Sequence, residues 1–545
     1  MNMATATETA TATATATGIQ PDGKDTSYNN GNGVTSRVSV SGGEASSSVS
    51  PRKDAHTNGS AETTEHQLRK TFRSKYRHIA AVHSESQPSC LSHDATEAPS
   101  FLGFRNLMVI VLVVGNLRLV IENIQKYGVL ICVGCHDFRK SDLQLGLLLY
   151  FLIPCHLIIA YAIELVAAQQ ARNSRAQSKR RGGTSSPTED ERQKFLATWK
   201  MVWVAHAVNV TFALAFNSYM VYYHIHHPLI GTLTEVHAII VWLKTASYAF
   251  TNRDLRHAYL HPVKGELDAL PAIYKQCPYP RNITIGNLVY FWWAPTLVYQ
   301  PVYPRTDKIR WIFVVKRLGE VLCLSVFIWF VSAQYAAPVL MNSLDKIVSL
   351  DYASIVERLL KLSTISLVVW LAGFFALFQS FLNALAEITK FADRSFYEPW
   401  WNSESLGMYW RTWNKPVYQY FKRHVYSPMR SRGWSHRIAS LAVFTVSAVL
   451  HELLVGVPTH NLIGVAFLGM FLQLPLIQMT APLEKMRSAH GKLLGNITFW
   501  VSFTILGQPF AALMYFYAWQ AKYGSVSKSM AGPDTCPAAV SLATS

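Results

Sequence analysis

Residues 438–458 read IASLAVFTVSAVLHELLVGVP. The run is largely apolar, and its ionisable residues are one adjacent pair, His451 and Glu452. A helix crossing a hydrocarbon core of roughly 30 Å needs about 20 residues, so this stretch has the length and composition of a membrane span. Ionisable groups inside a span are costly and by default mark function. HELLV lacks the second histidine of H-E-x-x-H, which argues against a zinc protease. A lone histidine in an apolar helix also has a bland reading, as a satisfied packing residue. The sharper reading makes His451 a general base, because an imidazole with a reference pKa of about 6.5 takes and returns a proton near neutral pH.

The rest of the chain repeats that character. Half of its 545 residues are hydrophobic and 15% are charged, with a mean hydropathy of +0.14; soluble domains carry about 25% charged residues. Apolar runs predict nine spans, over 104–125, 143–168, 197–222, 230–250, 310–340, 360–390, 436–457, 460–481 and 496–520. Long continuous segments exclude a closed β-barrel, which shows short alternating ones. The expected fold class is therefore all-α, a polytopic membrane protein. The shorter stretch 286–303 reads as interfacial or half-buried. No internal repeat is visible, which weighs against an inverted-repeat transporter.

Charge lies outside the spans. The net charge of +17 would suggest nucleic acid in a soluble protein. Here the basic residues cluster at 69–77 and 172–181, as in segments kept on the cytoplasmic side beside anionic lipid, and no nucleic-acid partner is expected. Residues 1–70 are low in complexity, with alternating Thr and Ala over 9–17, and are expected to be disordered. Residues 71–103 read as a basic juxtamembrane arm, 104–523 as the membrane core and 524–545 as a tail. No cleavable signal opens the chain, so the first span is expected to direct insertion. Cys132 and Cys135 form a C-x-x-C without a second pair at metal spacing. The histidines of YYHIHH (222–227) have no carboxylate or cysteine close in sequence. Both motifs read as helix ends. The sequons at Asn58, Asn209, Asn282 and Asn496 fall in the tail expected in the cytosol or in or beside apolar runs, and are poor glycosylation sites.

Residues 391–430, FADRSFYEPWWNSESLGMYWRTWNKPVYQYFKRHVYSPMR, are too polar to span and dense in aromatic rings. One reading is an interfacial anchor, where Trp and Tyr satisfy both ring and polar tip. The other is a binding surface for a ligand with an acyl tail and an anionic head, with Lys422, Arg423, His424, Arg430 and Arg432 supplying charge for phosphates. Residue type alone does not separate them.

The order of motifs adds a resemblance. F-Y-x-x-W-W-N (Phe396, Tyr397, Trp400, Trp401, Asn402) is followed by W-N-x-P-V (Trp413, Asn414, Pro416, Val417), by R-H-x-Y-x-P-M from Arg423 to Met429, and by S-A-x-x-H-E from Ser447 to Glu452. With NLRLVIENIQKYG (116–128), YPRNIT (279–284), WAPTLVY (293–299) and GQPFAALMY (507–515), the chain resembles the membrane-bound O-acyltransferase family from about Arg105 to Tyr523. Within the family, W-N-x-P and R-H-x-Y-x-P resemble the branch acting on diacylglycerol more than the sterol branch. Pro399 departs from the family's usual Asp, with Glu398 beside it, and Arg411 stands where some diacylglycerol enzymes have Gln.

The resemblance implies about nine spans around a reaction tunnel, with acyl-CoA arriving from the cytosol and the acceptor from the bilayer. It implies His451 at the tunnel centre, Asn414 near the thioester, and Glu452, Met470 and Gln508 lining the same chamber. Trp413, Tyr426 and Ser447 match acyl-CoA contacts. Phe396, Tyr397, Trp400, Trp401, Asn402 and Arg423 lie in the matched motifs and are expected to bind substrate. The implied partners are acyl-CoA, diacylglycerol, membrane lipid and a second copy of the chain, in a homodimer or higher homo-oligomer. The implied location is the endoplasmic reticulum membrane, with a cytoplasmic N-terminus.

The expected chemistry needs no metal and no cofactor besides the acyl-CoA substrate. His451 takes the proton of the free diacylglycerol hydroxyl, the oxygen attacks the thioester, and the Asn414 amide holds the developing oxyanion or the thioester. The thiolate, with a reference pKa of about 8.5, leaves without a strong acid. Glu452 is expected to orient the base. A sterol or wax-ester acyltransferase is the alternative within the family. A lipid transporter is the non-enzyme alternative, and would carry charges in several spans and broken helices in matched halves.

Overall fold

The computed structural model describes residue 78 and residues 81–92, 99–125, 139–180, 189–260, 270–341, 343–486 and 489–530. The low-complexity region 1–70, the basic cluster at 69–77, the Cys132–Cys135 pair, Asn58, the side chains of motif 116–128 and residues 531–545 lie outside the described residues.

The described elements are helices, joined by one isolated β-bridge between Arg305 and Phe391. In chain order they include α1 (Leu102–Gln125), α2 (Lys140–Leu152), α3 (Cys155–Arg180), α4 (Glu189–His224), α5 (Pro228–Leu260), α6 (Ile285–Trp293), α7 (Trp311–Val331) and α8 (Tyr352–Phe374). Then come α9 (Leu382–Ile388), α10 (Leu406–Thr412), α11 (Lys415–Phe421), α12 (His436–Gly456), α13 (Val465–Phe471), α14 (Gln473–Lys485), α15 (Ala489–Val501) and α16 (Gln508–Met530). Several begin at a side chain that accepts an otherwise orphaned N–H: Thr284, Asp351, Ser405, Asn414 and Ser435 each cap the helix that follows.

Among the described residues, seven helices are long and apolar enough to cross a membrane: Lys140–Gln177, Leu196–His224, Pro228–Leu260, Tyr352–Ile388, His436–Gly456, Val465–Lys485 and Gly491–Lys522. They meet seven of the nine expected spans. The other two fall on α1, whose described apolar stretch is the shorter Leu102–Gly115, and on α7. That helix carries Lys316, Arg317 and Glu320 in its first half. The stretch 286–303 is not a span: α6 is nine residues, and the chain then turns irregular with Ala294, Val298 and Tyr299 buried.

Several charged and polar groups within the spans find internal partners, which a medium without water favours. Glu164 on α3 bonds Arg256 at 2.8 Å and His206 at 3.1 Å. The Asn217 amide and Ser218 hydroxyl donate to Glu235 at 2.8 and 2.6 Å. The Lys244 ammonium donates to the carbonyls of Phe291, Trp292 and Ala294 at 2.8–2.9 Å, closing the C-terminal end of α6. The 222–227 histidines sit at the end of α4, where the N–H groups of His226 and His227 both donate to Asp142 at 3.0 Å.

The largest apolar cluster gathers around the Trp-rich segment. Trp400 and Trp401 are fully buried, which overturns the reading of this part of the segment as an interfacial anchor. Their loop is threaded between α1 and α15. The Asn496 amide donates to the carbonyls of Trp401 and Ser403 at 2.9 and 3.0 Å, and Asn106 donates to Asn496 at 2.8 Å. Gly103 and Gly495 allow the close approach, because a Cβ on either would overlap the backbone carbonyl of Trp401 or Glu404. The sequon residues Asn209, Asn282 and Asn496 are all buried and hydrogen-bonded.

Candidate active site

His451 lies in the last two turns of α12. Its Nδ1 is 2.7 Å from the backbone carbonyl of Ser447, one turn earlier, and 3.4 Å from the Ser447 hydroxyl. A carbonyl only accepts, so Nδ1 carries the proton and Nε2 holds the lone pair. Nε2 has no hydrogen-bond partner among the described residues, and the side chain is half-buried. A neutral imidazole so tethered presents a proton acceptor in a fixed direction.

Glu452 departs from expectation. Its carboxylate accepts from the N–H of Gly464 at 2.8 Å, the N–H of Phe467 at 3.0 Å and the Tyr515 hydroxyl at 2.7 Å. It thus caps α13 and ties α12 to α16. Successive residues of a helix project about 100° apart, so Glu452 faces away from the His451 ring, and the Ser447 carbonyl orients the base instead. These bonds give Glu452 a structural role, joining α12 to α13 and α16.

Asn414 begins α11. Its Oδ1 accepts from the Val417 N–H at 3.2 Å, which leaves the two Nδ2 protons free to donate. Val417 packs in one apolar cluster with Val443, Val446 and Leu450 of α12, joining the start of α11 to the helix of the base. Ahead of Asn414, Trp413 stacks on Tyr409 with ring centroids 5.8 Å apart and 7° between planes, and meets Trp370, Phe378 and Trp410 edge-on or tilted. Trp410 in turn meets Phe444 of α12 and donates to Gln473 at 3.2 Å.

The other expected site residues divide into two groups. Phe396, Tyr397, Trp400 and Trp401 are buried at 2% exposure or less against neighbouring side chains. Asn402 braces the loop, receiving the Gly103 N–H at 2.6 Å and donating to the Ser100 carbonyl. The rings of Tyr397, Trp400 and Trp401 pack against those of Phe101, Phe104, Trp370, Phe374, Tyr409, Phe499, Trp500 and Phe503, so this part of the motif holds the fold around the site. Tyr426 is half-buried, and its hydroxyl is 2.7 Å from Nδ1 of His436 at the start of α12. Ser447 and Met470 are buried, on α12 and α13, and Gln508 opens α16 half-buried. Arg423 is buried, with no hydrogen bond among the described residues.

Two departures from the family pattern have local explanations. Pro399 has φ −64° and precedes the single turn Trp400–Asn402, whose last N–H it receives at 3.1 Å. Neighbouring Glu398 pairs with Lys415 at 2.6 Å. Arg411 pairs with Glu484 at 2.5 Å, and Ser405 donates to the same carboxylate at 2.7 Å.

Sequence reasoning missed the contacts the arm makes with the core. His83 Nδ1 is 2.5 Å from Asp393 and its Nε2 2.8 Å from the Thr296 hydroxyl. Burial pushes the Asp393 carboxyl up, but His83 and Ser395 outweigh it and hold the group below its usual value. His78 Nδ1 is 2.9 Å from His424 Nδ1, and His424 Nε2 is 2.7 Å from Ser247. The partners are separated by more than 170 positions, so no local signal announces them. Among the described residues no group of three or more His, Cys, Asp or Glu is arranged to hold a metal ion.

Comparison with known proteins agrees with this architecture. The family model described as MBOAT, membrane-bound O-acyltransferase family, matches residues 194–517. The chain is 37% identical over 445 residues to diacylglycerol O-acyltransferase 1-1 of Oryza sativa subsp. japonica, covering 81% of this chain and 77% of that one. It is 35% identical over 457 residues to diacylglycerol O-acyltransferase 1C of Glycine max, covering 84% and 82%. It is 34% identical over 430 residues to diacylglycerol O-acyltransferase 1 of Dictyostelium discoideum, covering 79% and 64%.

Proposed function

The chain belongs to the membrane-bound O-acyltransferase family, and from that premise we propose that it transfers a fatty acyl group from acyl-CoA to the free hydroxyl of diacylglycerol, releasing triacylglycerol and CoA. It is an acyltransferase of lipid metabolism and a multi-pass membrane protein. The relatives' diacylglycerol activity supports the choice of acceptor over sterol or fatty alcohol.

One observation carries the mechanism: the His451 imidazole has its Nδ1 proton committed to the Ser447 carbonyl and its Nε2 without a partner among the described residues. In this reading Nε2 accepts the proton of the diacylglycerol hydroxyl as the oxygen attacks the thioester carbonyl. The Asn414 Nδ2 protons, aimed by the bond from Val417 to Oδ1, steady the charge that develops on the carbonyl oxygen. The carbon–sulfur bond then breaks and CoA leaves as a thiolate, which takes up the proton from His451. Because the acyl donor is already activated, the scheme requires no acyl-enzyme. Trp413, Tyr426, Ser447, Met470 and Gln508 are assigned to the substrate path. The same reading has the protein in the endoplasmic reticulum membrane, N-terminus in the cytosol, as a homodimer or higher homo-oligomer.

The test is acyl transfer from radiolabelled oleoyl-CoA in microsomes, with diacylglycerol, cholesterol and a fatty alcohol offered side by side. Label in triacylglycerol that vanishes in His451→Ala is the expected result. Label in sterol or wax ester would overturn the acceptor, and undiminished label in the variant would overturn the base.

A further inference from the structure

Arg423 is 5% exposed, yet none of its three guanidinium nitrogens has a hydrogen-bond partner among the described residues. Gln300 is fully buried beside the same neighbours, and its amide Nε2 is likewise without a partner. Both bear on the buried Tyr274 phenol: burial raises its pKa, while Arg423 and Gln300 pull it back. No carboxylate pairs with Arg423 among the described residues. Asp254, on α5 nearby, is already shared between the Arg253 guanidinium at 2.6 Å and the His78 N–H at 3.1 Å.

The uncompensated charge is felt around it. Burial first, and Arg423 in addition, push His78 down to about 4 against the pull of Asp254. Burial likewise, with His78 and Arg423 adding, pushes His424 well below its ordinary value. Both rings are neutral and offer no countercharge. A buried guanidinium without a counterion is among the most costly arrangements a fold can hold. A guanidinium fork beside an amide, about seven N–H donors in all with the neutral Tyr274 phenol oxygen as the acceptor beside them, matches an anion with several oxygens.

We propose that Arg423 and Gln300 form a buried oxyanion site for a terminal phosphate group, and that its occupant pins the N-terminal arm to the core. The arm crosses the site at two points. The His83 N–H donates to Gln300 Oε1 at 3.2 Å, and the His78 ring meets His424, the residue after Arg423, at 2.9 Å. A phosphate with three terminal oxygens uses the donors more fully than a carboxylate with two. Inorganic phosphate, the headgroup of phosphatidate and the 3′-phosphate of CoA all present this chemistry.

The experiment reads unfolding and binding, so it stands or falls apart from the acyl-transfer reading. The full chain in phosphatidylcholine nanodiscs is unfolded thermally, followed by tryptophan fluorescence. One arm titrates sodium phosphate against sodium chloride at equal ionic strength. A second adds phosphatidate to the nanodisc, and a third compares CoA with 3′-dephospho-CoA. A saturable rise in the midpoint of at least about 2 °C in one arm or more is expected, and identifies the source. Arg423→Gln removes that rise. Gln300→Glu supplies an anion from within while keeping the acceptor for His83, so it raises the midpoint without ligand and no longer responds. The absence of a saturable response in all three arms overturns the site. So does a Gln300→Glu protein that responds like the wild type, which keeps the test decisive if Arg423→Gln does not fold.

Discussion

His451 donates its Nδ1 proton to the backbone carbonyl of Ser447 at 2.7 Å, so the helix that carries the base also sets its tautomer. A backbone carbonyl cannot be removed by substitution at position 447, and the base keeps its direction whatever side chain stands there. His451→Ala is therefore expected to abolish acyl transfer while leaving membrane insertion and the unfolding midpoint nearly unchanged. Ser447→Ala retains the tether and loses at most a few-fold in kcat. Assays in microsomes, with a blot for insertion, check both.

Asn414 joins two roles that can be separated. Asn414→Ala loses the cap, costing about 1 kcal/mol of stability, and also loses the amide donors. Asn414→Asp keeps an oxygen for the Val417 N–H but has no amide to donate. Both are expected to lower kcat by about 100-fold, and only the Ala form to lower the unfolding midpoint. An Asp variant with normal turnover would remove Asn414 from the reaction.

Glu452 receives three donors from α13 and α16. Glu452→Ala strands them and is expected to cost roughly 3 kcal/mol or more. Tyr515→Phe removes one donor and costs about 1 kcal/mol. If Glu452 acted on the base, the pH profile of turnover would shift in Glu452→Gln. The expectation is a lower midpoint with the profile unmoved.

Pro399 occupies a position where an N-cap side chain is favourable and where its missing N–H is not required. Pro399→Asp is expected to change turnover less than two-fold and leave stability within about 0.5 kcal/mol. A dead variant would show that this turn has been rebuilt around proline.

The arm is expected to loosen in acid. The folded state holds His78 at about 4, below its ordinary 6.5, so folding favours the neutral ring. That contribution is complete above pH 6.5 and is lost as the pH falls from 6.5 through 4. Asp393, held below its ordinary value of 3.8 by His83 and Ser395, gives way only at still lower pH. Limited proteolysis within 81–92 should accelerate between pH 6.5 and 4, and His78→Phe should flatten that rise.

The parts of the site legible in sequence are those whose partners are local. Ser447 stands four residues before His451, and Asn414 three before the N–H it caps, spacings a helix makes inevitable. The seven long apolar runs announce their own spans. The burial of Trp400 and Trp401 could not be read, because what covers them comes from α1 and α15, hundreds of positions upstream and about a hundred downstream. Interfacial and buried tryptophans look alike until those helices are in place. The partners of Glu452 were not legible either: they are Gly464, Phe467 and Tyr515, 12, 15 and 63 positions away, and no local spacing announces them.

The threading of the Trp400–Ser403 loop between α1 and α15 has a consequence for biosynthesis. The carbonyl of Trp401 receives its hydrogen bonds from Asn496 and Trp500, 95 and 99 positions later. During translation the Trp401 carbonyl therefore waits, without those donors, until nearly the whole chain has left the ribosome. A message truncated before residue 496 yields a product that inserts most of its spans and still exposes the polar carbonyls of its central loop. Such a product is a substrate for quality control, and late truncations should be cleared as completely as early ones.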